Sequence, residues 1–89
     1  MKISKDTIEE IFNTAIIEEV ISEFVKLKKT GANYKGLSPF NDEKTPSFVV
    51  SPSKEIWKDF SSGKGGNVIS FLMEHEQYTY PESLLFLAK

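Results

Sequence analysis

Residues 37–48 read Leu-Ser-Pro-Phe-Asn-Asp-Glu-Lys-Thr-Pro-Ser-Phe. The prolines in this stretch predict a loop, because proline lacks the backbone donor that a helix or a sheet interior needs. The sequence on either side is strand-like, over residues 34–37 before the loop and residues 47–50 after it. The loop is therefore predicted to connect two strands of an antiparallel sheet.

Two further strands extend this sheet outwards. Val25 and Leu27 alternate with lysines, and a turn signal follows them, so residues 24–37 are predicted to form a β-hairpin with lysines on its open face. On the other side, a turn precedes a fourth strand at residues 55–58. We therefore expect a small antiparallel sheet of about four strands, followed by a glycine-containing loop at residues 61–66.

Two short helices are predicted before the sheet. Residues 5–13 and 15–22 carry isoleucine, valine and phenylalanine side chains at helical spacing. Asp6 is a candidate capping residue for the first helix, and Thr14 is one for the second. Residues 1–23 are therefore predicted to be helical.

Two more helices are predicted after the sheet. Asn67 can cap the first of them. Residues 79–82, Thr-Tyr-Pro-Glu, have the spacing of a capping box with an early proline, and they open a helix that carries three leucines. The chain is thus predicted to be α+β, with helical regions at 1–23 and 66–89 on either side of a sheet at 24–60.

Charged residues are distributed unevenly along the chain, whose net charge is −2. Residues 24–66 contain eight lysines and four acidic residues, whereas the segments before and after them are both net acidic. A basic central stretch is typical of a phosphate-binding surface, and also of a solvated sheet face with no partner. All eleven basic residues are lysines, which favours contact with a phosphate backbone over reading of base edges.

The composition excludes several classes of protein. The chain has no cysteine and one histidine, which excludes a disulfide framework, a thiolate metal site and a histidine cluster. Its hydrophobic content of 39% is too high for intrinsic disorder. We see no signal peptide, no apolar run long enough for a membrane span, and no nucleophile–base arrangement. We therefore expect a cytoplasmic protein without a membrane partner or chemistry of its own.

Two segments carry a resemblance to a known family. The first is residues 37–48, and the second is residues 57–72, Trp-Lys-Asp-Phe-Ser-Ser-Gly-Lys-Gly-Gly-Asn-Val-Ile-Ser-Phe-Leu. Both resemble the N-terminal zinc ribbon of bacterial replicative DNA primases of the DnaG type. That family's pattern is Cys-Pro-Phe-His-x-Glu-Lys-Thr-Pro-Ser-Phe, followed by Cys-x-Gly-Cys-Gly-x-Gly-Gly. The resemblance covers nearly the whole chain and implies a zinc-ribbon-like sheet within a longer protein.

The sequence departs from this family at the metal ligands. The positions that match the family's Cys, His, Cys and Cys hold Ser38, Asn41, Asp59 and Ser62. Hydroxyl and amide oxygens are poor zinc ligands, so we predict that this chain has no structural zinc and no other cofactor. We expect these four side chains to form hydrogen bonds between the two facing turns. We also expect added stability from the burial of five aromatic residues, Phe40, Phe48, Trp57, Phe60 and Phe71.

The resemblance also suggests candidate DNA-binding residues. Lys28 and Lys44 occupy positions that look like the family's template-contacting lysines. Further candidates, which extend the basic stretch, are Lys26, Lys35, Lys58 and Lys64. Lys64 lies in a glycine-rich loop, which either cradles a phosphate or only permits a tight turn. Trp57 is a candidate platform for stacking of a base, or else a core residue.

The resemblance implies that the chain binds single-stranded template DNA and assists the initiation of RNA primers. The polymerising chemistry of that family, with its divalent metal, belongs to a separate catalytic domain, which is the second implied partner. A replicative helicase would be reached only through the rest of the longer chain. The alternative is a protein-interaction module that has lost both zinc and DNA binding. The basic stretch at residues 24–66 favours the first hypothesis.

Overall fold

The computed structural model describes residues 4–42 and 44–88 and contains a five-stranded antiparallel sheet with helices before and after it. The helices are α1 (Lys5–Thr14), α2 (Ile17–Ser22), α3 (Val68–His75) and α4 (Tyr80–Leu87). The strands are β1 (Lys28–Thr30), β2 (Asn33–Gly36), β3 (Phe48–Ser51), β4 (Ile56–Asp59) and β5 (Gly65–Gly66), and they lie in the sheet in chain order. The predicted α+β class is confirmed. No helix in the described residues is long and apolar enough to cross a bilayer.

The first strand begins later than predicted, at Lys28. Val25 is buried in the core and Leu27 packs against it, so their alternation reflects packing rather than strand pairing. Residues 25–27 lie across the end of β2, where a Cβ added to Gly36 would be only 2.5 Å from the carbonyl oxygen of Lys26. Glycine at position 36 therefore permits this close approach of two backbone segments.

A fifth strand occurs where a loop was predicted. Gly65 pairs with Lys58 and Gly66 pairs with Trp57, which adds β5 to the edge of the sheet beside β4. Gly66 has a φ of 153°, and a Cβ at this position would clash with the side chain of Ser70. Glycine is depleted in strands, so a two-residue glycine strand has no sequence signal of its own.

The capping predictions are wrong before the sheet and correct after it. Ser4, not Asp6, caps α1 by accepting a hydrogen bond from the Thr7 amide at 3.2 Å. The Thr14 hydroxyl donates back to the Glu10 carbonyl at 2.9 Å instead of capping α2. Asn67 caps α3, as predicted, by accepting from the amide of Ser70. The capping box that opens α4 is also present, formed by Thr79 and Glu82.

The core lies between the inner face of the sheet and the helices. Phe48, Trp57 and Phe71 are buried at its centre, and Phe40 stacks on Trp57 with ring centroids 5.5 Å apart. Phe60 was expected in this group, but its side chain is 67% exposed. Side chains alternate along a strand, so Trp57 and Asp59 point inwards while Lys58 and Phe60 point to the open face.

Candidate nucleic-acid interface and the buried Asp59 cluster

The inner face of β4 ends in a buried carboxylate, Asp59. Its Oδ2 accepts hydrogen bonds from the hydroxyls of Ser38 at 2.6 Å and Ser62 at 2.7 Å. Its Oδ1 accepts from the Ser61 hydroxyl at 2.9 Å and from the Ser61 amide at 3.3 Å. Both carboxylate oxygens are therefore hydrogen-bonded, which offsets the cost of burying a charge.

The same cluster joins the loop after β2 to the turn after β4. The Ser38 oxygen accepts from the amides of Phe40 and Asn41, each at 3.1 Å. The Asn41 side-chain amide donates to the Ser61 hydroxyl at 3.2 Å. The structure thus brings together the positions of all four replaced ligands, and hydrogen bonds link the two turns as expected. We refer to Ser38, Asn41, Asp59, Ser61 and Ser62 as the Asp59 cluster.

Ser61 is the member of this cluster that sequence reasoning missed. It supplies two of the four hydrogen bonds that the Asp59 carboxylate accepts. A signal was present, because the family pattern has glycine at the position of Ser61 and this chain has a side chain that can donate. Because Ser61 is not at a ligand position, the family pattern alone assigns it no part in the site.

The hydrogen bonds that the Asp59 carboxylate accepts determine whether this group is ionised. Burial alone would raise the pKa of this carboxyl group. The hydroxyls of Ser38, Ser62 and Ser61, together with the Ser61 amide, outweigh burial and hold the pKa of Asp59 below its ordinary value of 3.8. The group is therefore ionised at neutral pH, and it serves as the acceptor at the centre of the cluster.

The ligand atoms that the Asp59 cluster offers do not suit zinc. Structural zinc sites of the ribbon class use thiolate and imidazole ligands, whereas these side chains offer one carboxylate with hydroxyl and amide groups. The oxygens of Asp59 are also directed at the serine donors. Among the described residues, no three histidine, cysteine, aspartate or glutamate side chains lie close enough to hold a metal ion. The side chains present therefore do not fit the metal that the family implies.

The open face of the sheet carries the candidate lysines in one row. Lys28 pairs with Lys35 across β1 and β2, Lys35 with Val49, and Val49 with Lys58. Residues directly opposite each other on neighbouring antiparallel strands project from the same face. Strand register therefore places Lys28, Lys35, Val49 and Lys58 in one row, in that order, on the face opposite the core. The three lysines are exposed.

Apolar side chains lie beside this row. A shallow depression on the open face is lined by Val49, Ile56, Lys58 and Phe60, among others. Ile56 is 42% exposed and Phe60 is 67% exposed. We call this surface the lysine face; it consists of Lys28, Lys35 and Lys58 with Val49, Ile56 and Phe60. It combines cationic groups with an exposed aromatic ring, the combination that binds single-stranded nucleic acids.

The remaining candidates lie elsewhere. Trp57 faces the core, is 1% exposed, and donates from Nε1 to the Asn67 carbonyl at 2.8 Å. It cannot stack on a base, so its inclusion among the DNA-binding residues is wrong. Lys64 lies over the ring of Phe40 and pairs with Glu74 at 2.9 Å. Lys64 is therefore on the core side of the sheet.

Two candidates flank the sheet outside the row. Lys26 is exposed just before β1, next to the close approach at Gly36. Lys44 is exposed in the loop between β2 and β3. Neither projects from a strand, so neither is positioned by strand register.

Comparisons with known proteins agree with this fold. Residues 3–89 match the family described as CHC2 zinc finger. The chain is 53% identical over 83 residues to the DNA primase of Listeria monocytogenes, covering 93% of this chain and 13% of that protein. It is 46% identical over 86 residues to the DNA primase of Clostridium acetobutylicum, covering 97% of this chain and 14% of that protein.

A solved structure supports the same assignment. The Aquifex aeolicus primase structure, which comprises zinc-binding and RNA polymerase domains, matches with a TM-score of 0.86 and 45% identity. The match covers 92% of this chain and 20% of that chain. This chain thus spans about one seventh of its curated relatives and corresponds to one part of a primase rather than to the catalytic whole. The chain belongs to the CHC2 zinc-finger family of DNA primases.

Proposed function

We propose that this chain binds single-stranded template DNA through the lysine face and assists the initiation of RNA primers within a primase. The observation that carries this proposal is the row of Lys28, Lys35 and Lys58 across the open face, with exposed Phe60 beside it. Lysines attract the phosphate backbone without selecting a sequence, and an aromatic ring can stack on any base.

The pairing of Lys28 with Lys35 supports an anionic ligand. Like charges directly opposite each other on neighbouring strands destabilise a sheet. In the described residues, Lys64 forms a salt bridge with Glu74, and His75 lies 3.1 Å from Glu76; neither contact includes Lys28 or Lys35. A bound phosphate between the two lysines would relieve their repulsion. The proposed ligand thus accounts for an arrangement that costs stability in the free domain.

We also propose that the domain folds without zinc, with the Asp59 cluster linking the two turns that the metal joins in the family. The cluster spans the loop after β2 and the turn after β4, which are the same two turns. In the longer protein, polymerisation and its divalent metal would belong to a separate catalytic domain. A helicase would contact other parts of that protein. A cytoplasmic location, expected from the sequence, completes this proposal.

The first test is a backbone amide chemical-shift titration of the full chain with a twelve-nucleotide oligothymidine at low salt. We expect the shifts to concentrate on the strands that carry Lys28, Lys35 and Lys58, and on Phe60. We expect them to shrink as salt is added, because phosphate contacts are salt-dependent. Absence of any shift at millimolar DNA would contradict template binding and favour a protein-interaction module that has lost DNA binding.

A comparison of lysine variants, with losses expressed per charge removed, localises the site. The double variant Lys28→Gln/Lys35→Gln should bind more weakly and lower the salt slope of log K by about 0.7 for each lost phosphate contact. The control is Lys5→Gln, which removes one exposed lysine from α1, on the acidic part of the chain. If the control weakens binding as much per charge as the double variant does, the effect comes from net charge and the lysine face is the wrong surface.

A further inference from the structure

A second surface at the edge of the sheet has a different chemistry. A groove of about 420 Å³ lies where the chain enters β1 and leaves β2. Its wall is aliphatic and is formed by Val25, Leu27, Leu37 and Pro46. Leu37 is 50% exposed, the largest exposed fraction of any leucine or isoleucine in the described residues. The groove is therefore a place where a partner could bury apolar surface.

The rim of this groove is cationic. Lys26, Lys28 and Lys35 line it, and all three are exposed. Among the described residues, no acidic side chain lines the groove, and none of the salt bridges includes these lysines. The groove thus presents an aliphatic wall with three positive charges around it, and it complements an apolar group flanked by negative charges.

The aliphatic character of the wall distinguishes between two kinds of anionic ligand, single-stranded DNA and an acidic peptide. Bases of single-stranded DNA bind best by stacking on aromatic rings, and no aromatic side chain lines this groove. Phe60 is the exposed aromatic residue of the lysine face, and it lines a different depression. An aliphatic wall favours an aliphatic or aromatic side chain of a peptide, and the surrounding lysines favour carboxylates on either side of it.

We propose that this groove is a docking site for an acidic protein segment that carries one apolar anchor residue between carboxylates. The anchor side chain packs against Leu27, Leu37 and Pro46, and the carboxylates pair with Lys26, Lys28 and Lys35. The groove shares Lys28 and Lys35 with the lysine face, so the acidic segment and template DNA should compete for these two lysines. Its aliphatic wall is distinct from the lysine face, whereas its cationic rim overlaps the surface that we assign to the template.

The test measures binding of a fluorescein-labelled hexapeptide, Glu-Asp-Leu-Asp-Asp-Glu, to the full chain by fluorescence anisotropy. Two further peptides separate the contributions. In one peptide, serine replaces the leucine and the net charge is unchanged. In the other, the leucine is kept, and glutamine and asparagine replace the glutamates and aspartates. We expect saturable binding of the first peptide. We expect binding about tenfold weaker for the serine peptide, because the anchor loses much of its apolar burial, and weak binding of the amide peptide.

Variants of the protein locate the site. Leu37→Ser removes the exposed wall of the groove, and Leu85→Ser removes a comparably exposed leucine, 42% accessible, from α4. We expect Leu37→Ser to weaken peptide binding about tenfold and to leave oligothymidine binding unchanged. Leu85→Ser should change neither. Both side chains are largely exposed, so melting curves should show that both variants remain folded.

Three results would overturn the proposal. The first is no saturable binding of the leucine peptide at millimolar concentration. The second is equal binding of the leucine and serine peptides, which would reduce the effect to charge attraction by the lysines. The third is an equal loss of peptide and DNA binding in Leu37→Ser, which would make the groove a part of the DNA interface. Because oligothymidine is measured separately, failure of template binding is distinguishable from failure of this site.

Discussion

The hydroxyl of Ser38 donates a 2.6 Å hydrogen bond to the carboxylate of Asp59, which lies 21 residues later in the chain. This bond links the loop after β2 to the end of β4, and Ser61 and Ser62 complete the shell around the carboxylate. In its family a metal ion holds the corresponding turns together. Under the proposal that this domain folds without zinc, the buried carboxylate and its hydroxyl donors link these turns, so the stability of the domain should depend on them.

Replacing Asp59 by alanine should destabilise the domain by about 3 kcal/mol, because it leaves the buried Ser38 hydroxyl and the half-buried hydroxyls of Ser61 and Ser62 without their acceptor. The measurement is urea unfolding followed by tryptophan fluorescence, since Trp57 is buried in the core. Asp42→Ala is the matched control, with the same change of charge in an exposed loop, and should shift stability by no more than about 0.5 kcal/mol. Equal effects of the two variants would show that the cluster contributes nothing specific.

Acid should destabilise the domain through the same carboxyl group. The pKa of Asp59 in the folded state lies below the ordinary value of 3.8, so the unfolded chain binds a proton more readily. The contribution of Asp59 is therefore fully present above about pH 5 and is lost as the pH falls through 3.8 towards the folded-state pKa.

Unfolding free energies measured between pH 7 and pH 2.5 check this dependence. Asp59→Asn should show a shallower decline below pH 4 than the unsubstituted protein, since position 59 no longer titrates. Asp42→Asn should follow the unsubstituted protein. An acid profile of Asp59→Asn that parallels the unsubstituted protein would assign the decline to other carboxyl groups.

Chelation should not affect the fold. If the domain folds without zinc, as we propose, its melting curve should be the same with and without EDTA. A large fall in the melting temperature with EDTA would show that the cluster holds a metal after all. Elemental analysis of the purified domain provides an independent check of the same point.

Restoring the family's ligands should restore a zinc site. The residues at the four positions already lie within hydrogen-bonding reach of one another through Asp59 and Ser61. The quadruple variant Ser38→Cys, Asn41→His, Asp59→Cys and Ser62→Cys should therefore bind zinc and become dependent on it for folding. Circular dichroism with added zinc or EDTA measures this. If the variant stays unfolded with zinc, the two turns of this chain do not have the spacing of the family's site.

Phe60→Ala should weaken binding to oligothymidine by about tenfold, which corresponds to the loss of one base-stacking contact. Because the Phe60 side chain is 67% exposed, the melting temperature should change little. Tyr80→Ala is the control, an aromatic residue that is 41% exposed at the start of α4 and outside the lysine face. Fluorescence anisotropy with labelled oligothymidine distinguishes them, and equal losses in both variants would remove Phe60 from the interface.

Local sequence determined the succession of elements in this protein. The order of helices and strands follows from hydrophobic spacing and from turn residues, both of which act over a few neighbouring positions. The caps at Asn67 and Thr79 were predictable for the same reason. The meeting of Ser38, Asn41, Asp59 and Ser62 was also predictable, since the resemblance places all four at the ligand positions of one site.

Tertiary structure decided which side of each strand faces the core. Alternation separates Trp57 and Asp59 from Lys58 and Phe60, but the pattern does not say which pair is buried. Packing of α3 against the sheet makes that choice, because Phe71 contacts the rings of Phe48 and Trp57. Trp57 therefore lies in the core, and Phe60 lies on the lysine face.

Strand register decided which lysines share one face of the sheet and where the fifth strand lies. The row of Lys28, Lys35 and Lys58 exists because three pairings between strands align residues that are far apart in sequence. The strand at Gly65–Gly66 exists only because β4 offers it a partner. Sequence periodicity describes one strand at a time, whereas register is set by burial and hydrogen bonding between strands, so these features follow from the folded sheet alone.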